Sequence, residues 1–171
     1  MPENTQTTII IGLGNPILTD DGVGVLAARE LARRLAHRPD IEVTEASVGG
    51  LRLMEMIAGH DRAILIDAIL DENPPGTITR LTLADLTTRA PTQHSASAHD
   101  VSLPTALDAG RRMGLHLPDE VAIYAVSVVN VTDFGDEPTV EVAEAIPAVI
   151  QAVLDDVDAH SFAISSIPQK E

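Results

Sequence analysis

The sequence contains no cysteine, and aromatic residues make up only 2% of its 171 positions. Without a thiol there is no disulfide framework, no thiolate zinc site and no cysteine nucleophile, a composition that fits a reducing cytoplasm. With so few rings, the core must be built from Ile, Val, Leu and Ala. Positive charge is scarce as well: 11 Lys and Arg stand against 26 Asp and Glu, a formal net charge of -15. That sign argues against a nucleic-acid-binding surface and admits a basic protein partner or a cationic ligand. No charged start followed by an apolar run resembles a signal peptide, and no apolar stretch reaches membrane-spanning length. The expectation is a soluble, cytoplasmic protein with no membrane or nucleic-acid partner. The G-x-S-x-G elbow and the H-E-x-x-H pair are also missing, so serine hydrolase and zincin readings lack support.

What is present is aliphatic. Hydrophobic residues reach 44%, and the length suits one compact domain with a single core. "TTIIIGLG" and "RAILIDAI" are continuous apolar runs, the signature of strands covered on both faces. "IEVTEA" and "VAIYAVSV" are two further strands, and "TITRLTL", after the turn "NPPG", alternates like an antiparallel edge strand. "VGVLAARELARRL" has helical spacing, with Ala27, Ala28, Leu31 and Leu35 on one face and Arg29, Glu30, Arg33 and Arg34 on the other. "GGLRLMEMIA" reads as a short helix, and "VSLPTALDAGRRMG" as a helix with Pro104 in its first turn. "PTVEVAEAIPAVIQAVLDDV" reads as a long final helix that Pro147 should kink or interrupt. Residues 84–100, polar and aperiodic, read as a long loop. The predicted fold is a three-layer α/β sandwich: a mostly parallel, twisted, five-stranded sheet with one antiparallel edge strand and helices on both faces. Residues 1–6 are expected to be a flexible N-terminus, 7–157 a single domain and 158–171 a C-terminal tail.

In such a sheet, ligands bind beyond the carboxyl ends of the strands. The first strand delivers Asn15, Asp20 and Asp21 to that edge, the third delivers Asp67, and the fifth leads to Asn130, Asp133 and Asp136. The long loop adds His94 and His99, while His37, His60, His116 and His160 carry less signal. Gly12 and Gly14 suggest a dinucleotide loop, but "GLGNPI" lacks the third glycine, and two carboxylates would face the pyrophosphate. One of the adjacent pair Asp20 and Asp21 is explained by helix capping; both are not, because neighbouring side chains do not share one cap. Two carboxylates and an imidazole on one edge have the donor set of a divalent metal site, although the ligands come from distant segments and no short spacing supports it.

"GLGNP" after a first strand resembles the openings of two families. One is bacterial peptidyl-tRNA hydrolase, but its Arg-His-Asn continuation is missing and a tRNA-handling enzyme should show a basic face. The other is the hydrogenase maturation protease family, whose opening is a G-x-G-N turn, a pair of acidic residues and then a glycine. "GLGNPILTDDGVG" follows that pattern throughout. "HDRAILIDAI" resembles the family's third strand, which ends on an aspartate, and "SAHDVSLPTAL" its small-residue loop with a histidine. The likeness covers residues 7–157.

The resemblance implies a hydrolase: an endopeptidase that removes a C-terminal peptide from the nickel-loaded precursor of a nickel–iron hydrogenase large subunit. It implies that Asp21, Asp67 and His99 form a metal-binding and catalytic cleft, with nickel supplied by or shared with the precursor, and that Asp20 caps the helix or turn. The family is often classed with aspartic peptidases, yet nothing in the sequence resembles paired Asp-Thr-Gly loops. Two positions depart from the pattern. Glutamate often stands where this chain has Asp21, and an Asp-Gly-Gly-Thr segment where it reads "EASVGG", leaving Glu45 as the candidate counterpart. The alternatives are a non-catalytic nickel-checking chaperone for the same precursor and a peptidyl-tRNA hydrolase-like enzyme.

Overall fold

A computed structural model of the chain describes residues 6–88 and 102–165. The expectations for residues 1–5 and for His94 and His99 lie outside the described residues, as do residues 166–171 of the predicted tail.

Five strands, β1 (Thr8–Leu13), β2 (Ile41–Ala46), β3 (Arg62–Ile69), β4 (Ile78–Thr82) and β5 (Glu120–Ser127), form one sheet in the order β2-β1-β3-β5-β4. All pairings are parallel except β4 with β5. The architecture is therefore the predicted one, with the two continuous apolar runs, β1 and β3, inside the sheet and the alternating strand β4 at its edge. Successive side chains of a strand point to opposite faces, so each apolar run feeds two cores. Ile10, Ile64, Ile66 and Val126 face α1 (Val23–Arg34) and α5 (Val140–Ser165). Ile9, Ile11, Ala63, Leu65 and Ile123 face α2 (Gly50–Ile57) and α4 (Leu103–Arg112).

The helices bury the stripes their spacing foretells. α1 turns Val23, Ala27, Ala28 and Leu31 inward and leaves Glu30 outside, bonded to Arg34 at 2.8 Å and also to Arg33. α5 buries Val142, Ala145, Val149, Val153 and Val157, three or four residues apart. Three details differ from the sequence reading. The helix α5 continues through Pro147: the proline lies on the exposed face, where the carbonyl that loses its N–H partner can turn to water. It also continues past residue 158 to Ser165, inside the stretch assigned to a tail, with Arg38 reaching Ser161 at 3.0 Å and Asp158 at 3.8 Å. Finally, Leu83–Thr88 form a short helix, α3, inside the stretch read as loop. Thr82 and Asp85 bond each other across its start, a local cap that a periodicity argument does not detect.

Candidate active site

The glycines of the opening stretch bring α1 against the sheet. A Cβ on Gly24 would stand 2.3 Å from the Ile66 carbonyl oxygen and 2.4 Å from that of Leu13; one on Gly12 would stand 2.1 Å from the Gly24 oxygen. Only glycine allows the first turn of α1 to lie directly on β1 and β3. Gly14 adopts φ +131°, and a side chain there would meet the Asp21 carbonyl oxygen at 1.9 Å. The motif that suggested a phosphate loop is thus a close-packing device, and it holds a one-turn helix, Thr19–Gly22, over the carboxyl end of β3.

That turn points its two aspartates in different directions. Asp20 is fully buried. Its Oδ1 accepts hydrogen bonds from the Thr139 backbone N–H at 2.7 Å and hydroxyl at 2.8 Å, and its Oδ2 from the N–H groups of Asn130 at 3.1 Å and Val129 at 3.3 Å. Neither the turn nor α1 has a side-chain cap. Asp20 therefore does not cap its own helix, as the resemblance implied; it ties the opening loop to the segment between β5 and α5. Its four donors offset the cost of burying a charge.

Asp21 stays partly exposed. Its Oδ2 accepts the Asn15 backbone N–H at 2.8 Å, and its Oδ1 has no protein partner among the described residues. Asp67, near the end of β3 and paired in register with Ala125 of β5, lies half-buried beside it. Burial raises the pKa of Asp67, the Asp21 charge raises it further, and the Ala68 N–H lowers it only in part, so that it rises to about 7. The structure thus brings two of the three predicted site residues together, and no described Lys, Arg or His is bonded to either carboxylate. Among the described residues no three His, Asp or Glu side chains converge on a metal-sized site. The third candidate, His99, precedes Ser102, which caps α4 by accepting the Thr105 N–H at 3.5 Å.

The other candidates have separate employment. Glu45 sits opposite Gly12 in the β1–β2 register, and its carboxylate is held by both arms of the Arg29 guanidinium at 2.8 and 3.0 Å. Asn130 and Asp133 bond each other, through Asn130 Nδ2 to Asp133 Oδ2 at 2.9 Å and the Asp133 N–H to Asn130 Oδ1 at 3.1 Å. Sequence reasoning missed Thr139 as the partner of Asp20; 119 residues separate them, and no local pattern links them.

A sequence model of hydrogenase maturation proteases matches residues 25–156, a range that contains Asp67 and His99 and begins just after Asp21. The hydrogenase 2 maturation protease of Escherichia coli (strain K12) is 27% identical over 165 residues, covering 95% of this chain and 96% of that protein. The hydrogenase expression/formation protein HupD of Rhizobium leguminosarum bv. viciae is 24% identical over 168 residues, covering 98% and 82%. Among solved structures, the hydrogenase maturating endopeptidase HybD from E. coli shares the fold with a TM-score of 0.73 at 24% identity, over 91% of this chain and 94% of that one.

Proposed function

Because this chain belongs to the hydrogenase maturation protease family, a family of endopeptidases, we propose that it removes a C-terminal peptide from the nickel-loaded precursor of a nickel–iron hydrogenase large subunit. The observation that carries this reading is the pair Asp21 and Asp67, two carboxylates sharing one edge with no described cation between them. Such a pair repels itself unless one member takes a proton or a positive ion arrives. A hard or borderline divalent cation fits carboxylate oxygens and one imidazole nitrogen. Nickel carried by the precursor, as part of the substrate, meets that demand.

Three residues then share the work. Asp21, oriented by the Asn15 N–H, presents its unbonded oxygen to the metal-bearing segment. Asp67, poised near neutrality at about 7, exchanges a proton at physiological pH and acts as general base toward a water beside the scissile carbonyl. His99 supplies the nitrogen donor. It stands in sequence three residues before Ser102, the cap of α4, the helix that leads into β5. Metal bound among these residues supplies Lewis acidity toward the scissile carbonyl. No described helix is long and apolar enough to cross a membrane.

The test is the intact mass of the precursor after incubation with the purified chain. Nickel-loaded precursor should lose a C-terminal peptide, and nickel-free precursor should remain whole. A His99→Ala variant that folds normally should cut neither, whereas His94→Ala should match the wild type. Binding of the loaded precursor without any mass change would establish a nickel-checking chaperone instead, and full cleavage by His99→Ala would remove His99 from the site.

A further inference from the structure

Phe134 is 83% exposed, one of only two phenylalanines in the chain, and it is held in place by bonds that give it no burial in return. Leu18 and Phe134 form an isolated antiparallel bridge, and the Gly135 N–H donates to the Ile17 carbonyl at 3.0 Å. The Thr19 hydroxyl donates to the Asp133 carbonyl at 2.7 Å, and Asn130 braces Asp133 from within the loop. The result is a short two-stranded ribbon that presents Ile17, 56% exposed, beside Phe134, with Val129, 59% exposed, at the foot of the same loop. Folding alone gains nothing from fixing three large apolar side chains in water.

The ribbon is continuous with the site. One strand of it is the opening loop that ends in Asp20 and Asp21. The other is the β5–α5 segment, which Asp20 clamps through Val129, Asn130 and Thr139. Flanking the apolar residues in the β5–α5 segment are Asp133, Asp136 and Glu137, and among the described residues no Arg or Lys forms an ion pair with any of them. An apolar centre with an unneutralised acidic rim fits one partner chemistry: an apolar segment flanked by Lys or Arg.

We propose that the ribbon of Ile17–Thr19 and Asp133–Gly135 is the docking surface for the protein substrate, taking an apolar, basic-flanked segment of the precursor outside the bond that is cut. This rests on the peptidase reading for the identity of the partner, and it deepens that reading by separating docking from chemistry. Rim charges speed and orient the encounter, and the exposed aromatic supplies the contact that persists.

The experiment uses a hydrogenase large-subunit precursor and four full-length proteins: wild type, Phe134→Ser, Ile17→Ser, and the double variant Asp136→Lys with Glu137→Lys. Ile17, Phe134, Asp136 and Glu137 are all exposed, so unchanged melting curves check the fold. Precursor affinity is measured by calorimetry on each protein carrying Asp67→Asn to prevent turnover, and KM and kcat are measured on the versions that retain Asp67. Phe134→Ser and Ile17→Ser should each weaken binding and raise KM about tenfold with kcat unchanged. The charge-reversed variant should bind more weakly at low salt and approach the wild type at high salt. Unchanged affinity and KM in Phe134→Ser would overturn the proposal, as would conversion of a wild-type dimer into a monomer with no effect on KM, which would make the ribbon a self-interface. A wild type that binds the precursor through Phe134 but never cuts it would refute the peptidase reading while upholding the docking surface.

Discussion

The two ends of the same sheet treat buried aspartate in opposite ways. At the amino end, Arg62, only 2% exposed, reaches Asp156 at 2.8 Å and Glu120 at 3.1 Å. Arg80 touches the same two carboxylates, and the Tyr124 hydroxyl donates to Asp156 at 2.7 Å. Burial pushes the Asp156 pKa up, but hydrogen bonds from Tyr124 and Arg62 and the charges of both arginines outweigh it and hold the group below its usual value. Burial and Asp156 together push the Tyr124 phenol up to about 12. At the carboxyl end, Asp67 meets burial and another carboxylate, and no described cation, so its pKa moves the other way, to about 7. Opposite charge makes the first end a fastener. Among the described residues the second end lacks it, and its carboxylate pair is held at some cost to stability.

Substitutions at the two ends should therefore differ in sign, and a large loss belongs to the fastener. Arg62→Ala takes one of two arginines from Asp156 and Glu120, leaves a cavity, and should cost about 2–3 kcal/mol, read as a lower urea midpoint. A change under about 1 kcal/mol would show that the network is not a unit. Asp20→Ala belongs to the same range. Losing the acceptor of four hydrogen bonds should cost about 2–4 kcal/mol, more than a simple cap, and should loosen the 129–139 segment in hydrogen exchange.

At the carboxyl end the sign reverses. Asp67 has a folded-state pKa above its unfolded value, so its contribution to stability is fully present below the unfolded pKa and is lost as pH rises toward 7. Asp67→Asn should match the wild type near pH 4 and become the more stable protein as pH rises through 7, by on the order of 1 kcal/mol given its partial access to solvent. Equal melting curves at every pH would mean that the pair carries no strain. The smallest effect is expected at Arg29→Ala, which frees Glu45 from an exposed pair and should leave the melting temperature almost unchanged.

The contrast also marks what the sequence could reveal. The strands were legible because β1 and β3 are apolar on both faces and β4 alternates, a pattern that follows from their places in the sheet. Asp21 and Asp67 were legible because strand ends aim side chains at one edge. The pairing of Asp20 with Thr139 and of Arg62 with Asp156 was not, since each spans most of the chain and depends on how α5 packs. The six residues of α3 were too few to show a helical period. That α5 runs uninterrupted through Pro147 was not legible, because it depends on the buried stripe on both sides of the proline.

On the proposed reading, the strain between Asp21 and Asp67 serves the substrate's metal rather than the fold. The decisive measurement is single-turnover cleavage of nickel-loaded precursor by Asp67→Asn, set beside its thermal stability at pH 8. The variant should melt higher than the wild type and release no C-terminal peptide. Wild-type cleavage by that more stable variant would contradict that reading.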